Sequence, residues 1–237
     1  YQNVGHEEYA KWLQNKIQAP KWMQFMQWVN PIVSWTSFMA YQLNFLNGTQ
    51  LLFSWIVLLI PVLYHVKRTN QQLNPVIDFQ EQVDAAIQQM TQLKQQDFQS
   101  ELLKTYKKQL FEESNNGLKA MLQLQKLIKK IAYRHNILVG VLLNIFFGWD
   151  YRMQIQLQAW QNQFQNDLNQ WLDILSETEV LICAMNFRYN NYTQSTYPKI
   201  SSDESSGILI EELGHPLVPI HKLVNNDYHL SENQHFT

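Results

Sequence analysis

Residues 149–175 read WDYRMQIQLQAWQNQFQNDLNQWLDIL, and they decide the fold that we expect. Apolar side chains recur along this stretch at spacings of 4, 4, 3, 4, 4, 3 and 4: Trp149, Met153, Leu157, Trp160, Phe164, Leu168, Trp171 and Leu175. Gln, Asn and Asp fill most other positions, so a helix here would be apolar along one stripe. A heptad-like repeat of this kind predicts a long helix that packs along another long helix.

The sequence upstream of this stretch is also helical in pattern. Val83, Ile87, Met90 and Leu93 recur at helical spacing, and Asn115-Asn116-Gly117 interrupts the pattern. A second stripe follows, formed by Met121, Leu124, Ile128 and Ile131. The chain has only 7 Gly and 7 Pro in 237 residues, too few for the many turns of an all-β fold. We therefore predict a mainly α fold, a bundle of long helices.

Two further segments have their own character. Residues 137–147, ILVGVLLNIFF, are apolar all round but number only 11, so they predict the buried middle of a helix and not a membrane span. Residues 201–207, SSDESSG, predict a loop. Beyond it, ILIEEL (208–213) and KLVNNDYHL (222–230) are strand-like. The helical body should therefore end in a short β-containing segment.

A run of 45 residues, 22–66, contains no Lys, Arg, Asp or Glu. Asn47-Gly48 is a turn signal that divides it into two apolar halves. Lys21 precedes the run, and Lys67 and Arg68 follow it, which would put both ends on the cytoplasmic side of a membrane. The second half is slightly shorter than the roughly 20 residues that a span requires. Two interpretations stay open: a membrane hairpin over 25–66, and a helical hairpin buried in a soluble core.

These patterns divide the chain into three parts. Residues 1–75 hold N-terminal helices with the uncharged hairpin, and residues 76–200 hold the long helices. Residues 201–237 form the β-containing start of a second domain. The first residue is Tyr1 and not Met, so we expect the sequence to be a piece of a longer protein.

Composition excludes several classes of function. A net charge of −2 excludes a globally basic nucleic-acid binder. The single cysteine, Cys183, excludes a disulfide framework and a multi-cysteine zinc site. The sequence has no phosphate-loop, nucleophile-elbow or dinucleotide-binding motif, and its histidines match no zinc spacing. We predict no catalytic residue and no metal site in this chain.

One helix should carry a local excess of positive charge. Lys126, Lys129 and Lys130 have the spacing that puts them on one helical face. Such a face contacts the phosphates of DNA or of anionic lipid in some proteins, and in others it is simply solvated. Both interpretations stay open.

The C-terminal residues resemble a known family. In EELGHPLVPIHKLVNNDYHL (211–230), Gly214-His215-Pro216 and Val224-Asn225-Asn226-Asp227 follow a predicted strand in a fixed order. This stretch resembles the entry to the nucleotide-binding domain of MutS-like DNA mismatch-repair ATPases. The helices before it, over about 135–200, are similar to the core and lever helices of that family. The similarity is greatest to a branch of Bacteroidetes type that carries membrane helices near its core.

The resemblance implies a mechanism and a set of roles. It implies a full-length protein that binds ATP and Mg²⁺ between two ATPase domains of a homodimer, with lever helices coupling ATP binding to DNA. Leu223 and Val224 would lie against the adenine, although an aromatic residue is common at the first of these positions. His215 and Pro216 would shape a turn. This chain, which we expect to stop before the phosphate loop, should not hydrolyse ATP alone.

The expected location follows from the same features. The resemblance and the uncharged run together imply a cytoplasmic protein attached to the inner membrane. The alternative function is a membrane-anchored helical scaffold that binds a partner protein and no DNA. Salt dependence separates the two, because binding through lysines to DNA weakens steeply with salt and apolar docking does not.

Overall fold

The computed structural model describes residues 16–112, 116–193, 195–200, 207–215, 218 and 220–230. It confirms a mainly α fold with a small two-stranded antiparallel sheet near the C-terminus. The chain divides into two compact units, 1–182 and 183–237. The predicted three-part division is drawn elsewhere, at 75/76 and 200/201, and stays a prediction.

Seven α-helices make up the described helical part of the chain. Their bounds are α1 Lys21–Gln42, α2 Gly48–Asp78, α3 Gln80–Gln95, α4 Glu101–Phe111, α5 Gly117–Ala132, α6 Ile137–Phe147 and α7 Trp149–Asn190. A 3₁₀ turn, Tyr133–His135, joins α5 to α6. Loops are short throughout, so successive helices are close neighbours.

The stripe on α7 forms the centre of the core, as its spacing predicts. Leu157 and Leu168 are completely buried, and the stripe as a whole packs against buried residues of α3, α4 and α5. Trp160 Nε1 donates a 2.9 Å hydrogen bond to the backbone oxygen of Ala120 on α5, which satisfies the indole in an apolar setting. At Gly117 the six-membered ring of Trp171 packs where a side chain would start.

α2 continues through a segment where a break is expected. Pro75 and the polar residues around it suggest an interruption, yet the helix runs to Asp78 and includes Pro61 as well. An internal proline removes one backbone hydrogen bond and crowds the preceding turn. Leu73 and Val76 are buried on either side of Pro75, and this packing offsets the cost.

The interpretation of residues 137–147 as a buried helix middle is wrong. They form a separate helix, α6, that ends at Gly148 in the left-handed conformation with φ 58°. Its apolar side chains are mostly exposed: Ile137 is 80% and Leu138 77% accessible. Composition alone could not distinguish a helix buried by protein from one that presents apolar side chains outward.

The second unit contains the sheet. β1, Ile208–Leu213, pairs antiparallel with β2, Asn226–Leu230, as the strand-like segments predict. The register shifts between Ile210 and Leu213, where Glu212 has a positive φ of 54° and donates its backbone N–H to Asp227 Oδ1. The predicted loop at 201–206 lies outside the described residues.

Candidate membrane-anchoring site

The polarity of α1 is the reverse of that of a helix in a soluble protein. Its buried positions include Asn30, Ser34 and Ser37, of which Asn30 is 1% and Ser34 0% accessible. Its exposed positions are large and apolar: Phe25, Trp28, Ile32, Val33, Trp35 and Met39. Small and polar residues between helices, with apolar residues outward, are the pattern of helices packed in lipid.

α2 continues this apolar surface. Among the described residues it is the one helix both long and apolar enough to cross a membrane, and only 17% of its most apolar 18-residue window is buried. Its outward positions are Leu52, Phe53, Ile56, Val57, Ile60, Leu63 and Tyr64. Exposed apolar area on this scale marks an interaction surface for protein or membrane.

The charged residues that flank the uncharged run lie at one end of the hairpin. The Trp22 ring lies 4.8 Å from the His65 ring and 5.5 Å from the Tyr151 ring, which sets the start of α1 beside the middle of α2. Lys21, Lys67 and Arg68 therefore share this end, which we call the base of the hairpin. α1 has 22 residues, or about 33 Å of helix, which matches a hydrocarbon layer of about 30 Å.

α6 packs against the apolar side chains of α1 and α2. The Phe146 ring lies 5.4 Å from that of Trp35 and 5.1 Å from that of Trp55. Trp35 lies 13 positions beyond Trp22 on α1, about 20 Å from the base. At Gly148 the chain reverses, and α7 then returns towards the base, where Tyr151 meets Trp22. With 11 residues, α6 is too short to cross a bilayer by itself.

Asn144 satisfies the polar groups at the reversal. Its Nδ2 donates to Gly140 O (2.9 Å), its Oδ1 accepts from Asp150 N (3.0 Å), and its backbone oxygen accepts from Asn30 Nδ2 (3.2 Å). Gly148 itself lies so close to α1 that a side chain there would start 3.3 Å from Gln27 Cα. The non-helical backbone at this reversal is therefore covered by α1.

A buried ion pair connects the residues that flank α6 on either side, Arg134 and Asp150. Arg134, just before α6, donates Nε and Nη2 to the two carboxylate oxygens of Asp150, both at 3.0 Å. Its Nη1 reaches Asn74 Oδ1 on α2 at 3.2 Å. The side chains are 10% and 4% accessible, so the pair is two-pronged and largely removed from water. It joins the 3₁₀ turn before α6 to α2 and to the start of α7.

A second arginine lies beside this pair without a carboxylate. Arg152 donates Nη2 to Gln27 O (3.3 Å), and its guanidinium lies 5.1 Å from the centre of the Trp28 ring. Its Nε has no hydrogen-bond partner in the described part of the chain. The sequence analysis did not identify Arg152, Asn144 or Gly148 as functional residues. The available signal was that Asn144 and Gly148 interrupt and end an apolar run.

The predicted phosphate-contacting lysines are accessible. Lys126, Lys129 and Lys130 all lie on the exposed surface of α5, and the latter two are in its last turn. This exposure fits either of the two interpretations of the lysines, and their contact with DNA stays a prediction.

The two motifs that carry the family resemblance meet in space. A side chain at Gly214 would start 2.8 Å from Asn225 Oδ1 and from Leu223 Cδ2, so the turn after β1 packs on the segment before β2. His215 is exposed in this turn, and Pro216 lies outside the described residues.

The predicted adenine-binding side chains differ in exposure. Val224 is 75% accessible and offers a free apolar surface, as a nucleotide base would require. Leu223 is half-buried against Gly214 and presents less of its side chain. Contact of either residue with an adenine base stays a prediction. Within the described ranges, no three His, Cys, Asp or Glu side chains are grouped as metal ligands would be.

No protein-family model, curated protein or solved structure matches this chain.

Proposed function

We propose that the helical body is a membrane anchor in which the hairpin over 25–66 crosses the bilayer and α6 enters it part-way. The observation that carries the proposal is the reversed polarity of α1, with Asn30, Ser34 and Ser37 inside and tryptophans outside. In water this arrangement would expose a large apolar surface at a cost of about 25 cal/mol for each Å². In a bilayer the same surface is in its preferred solvent.

The charges support an orientation. Lys21, Lys67 and Arg68 flank the uncharged run, and basic residues next to short membrane segments favour the cytoplasmic side. The long helices α3, α4, α5 and most of α7 would then project into the cytoplasm. The protein would be attached to the inner membrane of a bacterial cell.

Charge placed on the outward face tests the anchor. Phe53→Lys with Ile60→Lys puts two cations on the exposed apolar side of α2, and each costs roughly 3 kcal/mol near the bilayer centre. We expect the wild-type protein to resist carbonate extraction and this variant to be released. Gln88→Lys with Gln92→Lys adds the same charge on exposed positions of α3 and should stay with the membrane. Release of the wild type by carbonate would contradict the proposal.

A second candidate function is coupling in a MutS-like ATPase of which this anchored body is the core and lever. The observation that favours it is the packing of Gly214 on Leu223 and Asn225, because the two motifs of the resemblance form one local structure. In this proposal α7 is the lever, the full-length protein is a homodimer, and ATP and Mg²⁺ bind in its ATPase domains. Within this chain, Val224 would contact the adenine base.

ATP and DNA binding by the full-length protein test this candidate. A photoreactive adenine analogue of ATP should label the 220–230 region. Val224→Asp should reduce this labelling, whereas the matched control Val218→Asp should leave it unchanged. Binding to duplex DNA should fall steeply with salt, and Lys126→Glu, Lys129→Glu and Lys130→Glu together should flatten that dependence. If DNA does not bind and a partner protein still binds the triple variant, the scaffold alternative is correct.

A further inference from the structure

We propose that the base of the hairpin is a binding site for the phosphate of an anionic phospholipid headgroup, centred on Arg152. The inference rests on the proposed membrane anchor and adds the ligand that its base selects. Four cations form what we call the basic collar: Lys21, Lys67, Arg68 and Arg152.

Aromatic and hydrogen-bond contacts link the chain segments that carry the collar. The Trp22 ring packs on the rings of His65 and Tyr151, so Lys21, Lys67 and Arg152 are each next in sequence, or nearly so, to one member of this aromatic cluster. Arg68 donates to Gln18 Oε1 at 3.5 Å, which ties α2 to the chain just before α1. These contacts place the three chain segments that carry the collar next to one another at the base of the hairpin.

The collar lacks compensating negative charge. The sequence has no Asp or Glu between residues 9 and 77. The nearest carboxylate in α7, Asp150, is fully engaged by Arg134 through two 3.0 Å hydrogen bonds. Among the described residues, no ion pair includes a member of the collar. Lys21, Lys67 and Arg68 are exposed and Arg152 is half-buried. A half-buried cation without a partner is costly, so we expect an anion from the surroundings to pair with Arg152.

Arg152 has the geometry of a headgroup ligand. Its guanidinium lies over Trp28, which is 59% accessible and belongs to the apolar outward face. Tryptophans of this kind sit at the level of the headgroups. One amino group of Arg152 is bound to Gln27 O, which fixes the plane and leaves the other amino group for a phosphate oxygen. Arginine binds phosphate well because hydrogen bonds from a charged guanidinium to a phosphate oxygen are short and strong.

The experiment measures binding of short-chain phospholipids to the full chain purified in a neutral detergent. Dioctanoyl phosphatidylglycerol is titrated against dioctanoyl phosphatidylcholine and against inorganic phosphate, with protein fluorescence as the readout. We expect phosphatidylglycerol to bind most tightly. Arg152→Gln should weaken its binding about fivefold or more, the effect of roughly one interfacial charge. Lys108→Gln removes one positive charge from an exposed position on α4 and should leave phosphatidylglycerol binding unchanged.

A second variant covers the case in which Arg152→Gln does not fold. Lys67→Gln with Arg68→Gln removes two collar cations whose one described contact is with Gln18, and it should also weaken phosphatidylglycerol binding. Equal binding of both lipids, or an equal loss in Lys108→Gln, would overturn the inference. So would inorganic phosphate binding as tightly as phosphatidylglycerol, since the ligand would then be a free anion. Displacement of lipid by duplex DNA at matched salt would assign the collar to nucleic acid.

The two proposals fail separately. A protein that resists carbonate extraction but shows no headgroup preference is an anchor without a lipid site. Release of the wild-type protein by carbonate would contradict both the membrane anchor and the lipid site.

Discussion

Asn30 Nδ2 donates a 3.2 Å hydrogen bond to the backbone oxygen of Asn144, and this bond joins α1 to α6 across 114 positions of sequence. Both residues are nearly inaccessible, at 1% and 5%. Because Asn144 also binds Asp150 N and Gly140 O, one side chain on α1 supports the residue that organises the whole reversal. The stability of α6 should therefore depend on a helix far from it in sequence.

Asn30→Ala removes this contact from α1. We expect a loss of about 1 kcal/mol, typical of hydrogen bonds between helices in a membrane, measured by thermal unfolding in detergent. Thr36→Ala is the matched control, since the Thr36 hydroxyl is exposed and binds only carbonyls of its own helix. Equal destabilisation by the two substitutions would show that the Asn30 contact has no special role.

The buried pair of Arg134 and Asp150 should show strong coupling. Arg134→Met leaves the Asp150 carboxylate buried without its cation, which costs about 3–5 kcal/mol. Adding Asp150→Asn removes the orphaned charge, so the double variant should be more stable than Arg134→Met alone. Denaturant unfolding of the two single variants and the double variant measures this coupling. Additive effects would mean that the 3.0 Å contacts contribute little.

Two glycines that begin helices should respond oppositely to alanine. At Gly117 a Cβ would lie 3.0 Å from Trp171 Cδ2 and 3.2 Å from Leu110 O, so Gly117→Ala forces a shift in the core and should cost about 1–3 kcal/mol. At Gly48 the nearest atom would be 4.0 Å away, so Gly48→Ala should be neutral or should stabilise by up to about 1 kcal/mol. Thermal unfolding of the pair measures the difference. A harmless Gly117→Ala would mean that Trp171 repacks freely.

Tyr106 on α4 and Glu177 on α7 form a pH-sensitive contact. The Tyr106 hydroxyl donates to Glu177 Oε2, and this bond, followed by desolvation and the charge of Glu177, raises the pKa of Tyr106 above its ordinary value of 10.0. Since the raised pKa belongs to the folded state, the stabilisation is complete below pH 10 and is lost as pH rises through the folded pKa.

Ultraviolet titration of tyrosine ionisation tests this contact. Glu177→Gln should bring the Tyr106 pKa closer to 10, and Tyr106→Phe should remove one late-ionising phenol from the titration. Glu179→Gln, an exposed neighbour on α7, is the control and should leave the titration unchanged. A titration that is the same in Glu177→Gln as in wild type would contradict the assignment.

The sequence predicts most of the fold because its helical stripes are long and regular. The stripe on α7 is buried where its spacing requires, from Met153 to Leu175. The turn signals Asn47-Gly48 and Asn116-Gly117 fall where α2 and α5 begin, because Asn and Gly favour helix boundaries. Local signals of this kind do not depend on what surrounds the helix.

The candidate site was less predictable because it depends on contacts between distant segments. Ile137–Phe147 has the composition of a core helix, and only its position beside Trp35 and Trp55 reveals its outward face. Arg152 resembles any solvated arginine until Trp28 and Gln27 are placed beside it. Pro75 suggests a break that the burial of Leu73 and Val76 prevents. In each case tertiary packing overrides the local preference.

The cover that α1 provides over Gly148 has a consequence for biosynthesis. α1 covers the reversal: Asn30 donates to Asn144 O, and a side chain at Gly148 would start 3.3 Å from Gln27 Cα. Non-helical backbone is tolerated at membrane depth only where protein covers it. The hairpin emerges from the ribosome first, and Ile137 follows Val66 by 71 positions. The hairpin should thus enter the bilayer during translation, while α6 is admitted afterwards, as the cytoplasmic helices assemble. Ribosome-stalled chains that end before residue 137 should already be inserted in the membrane. In these chains Arg134 has no carboxylate partner, because Asp150 has not yet been synthesised.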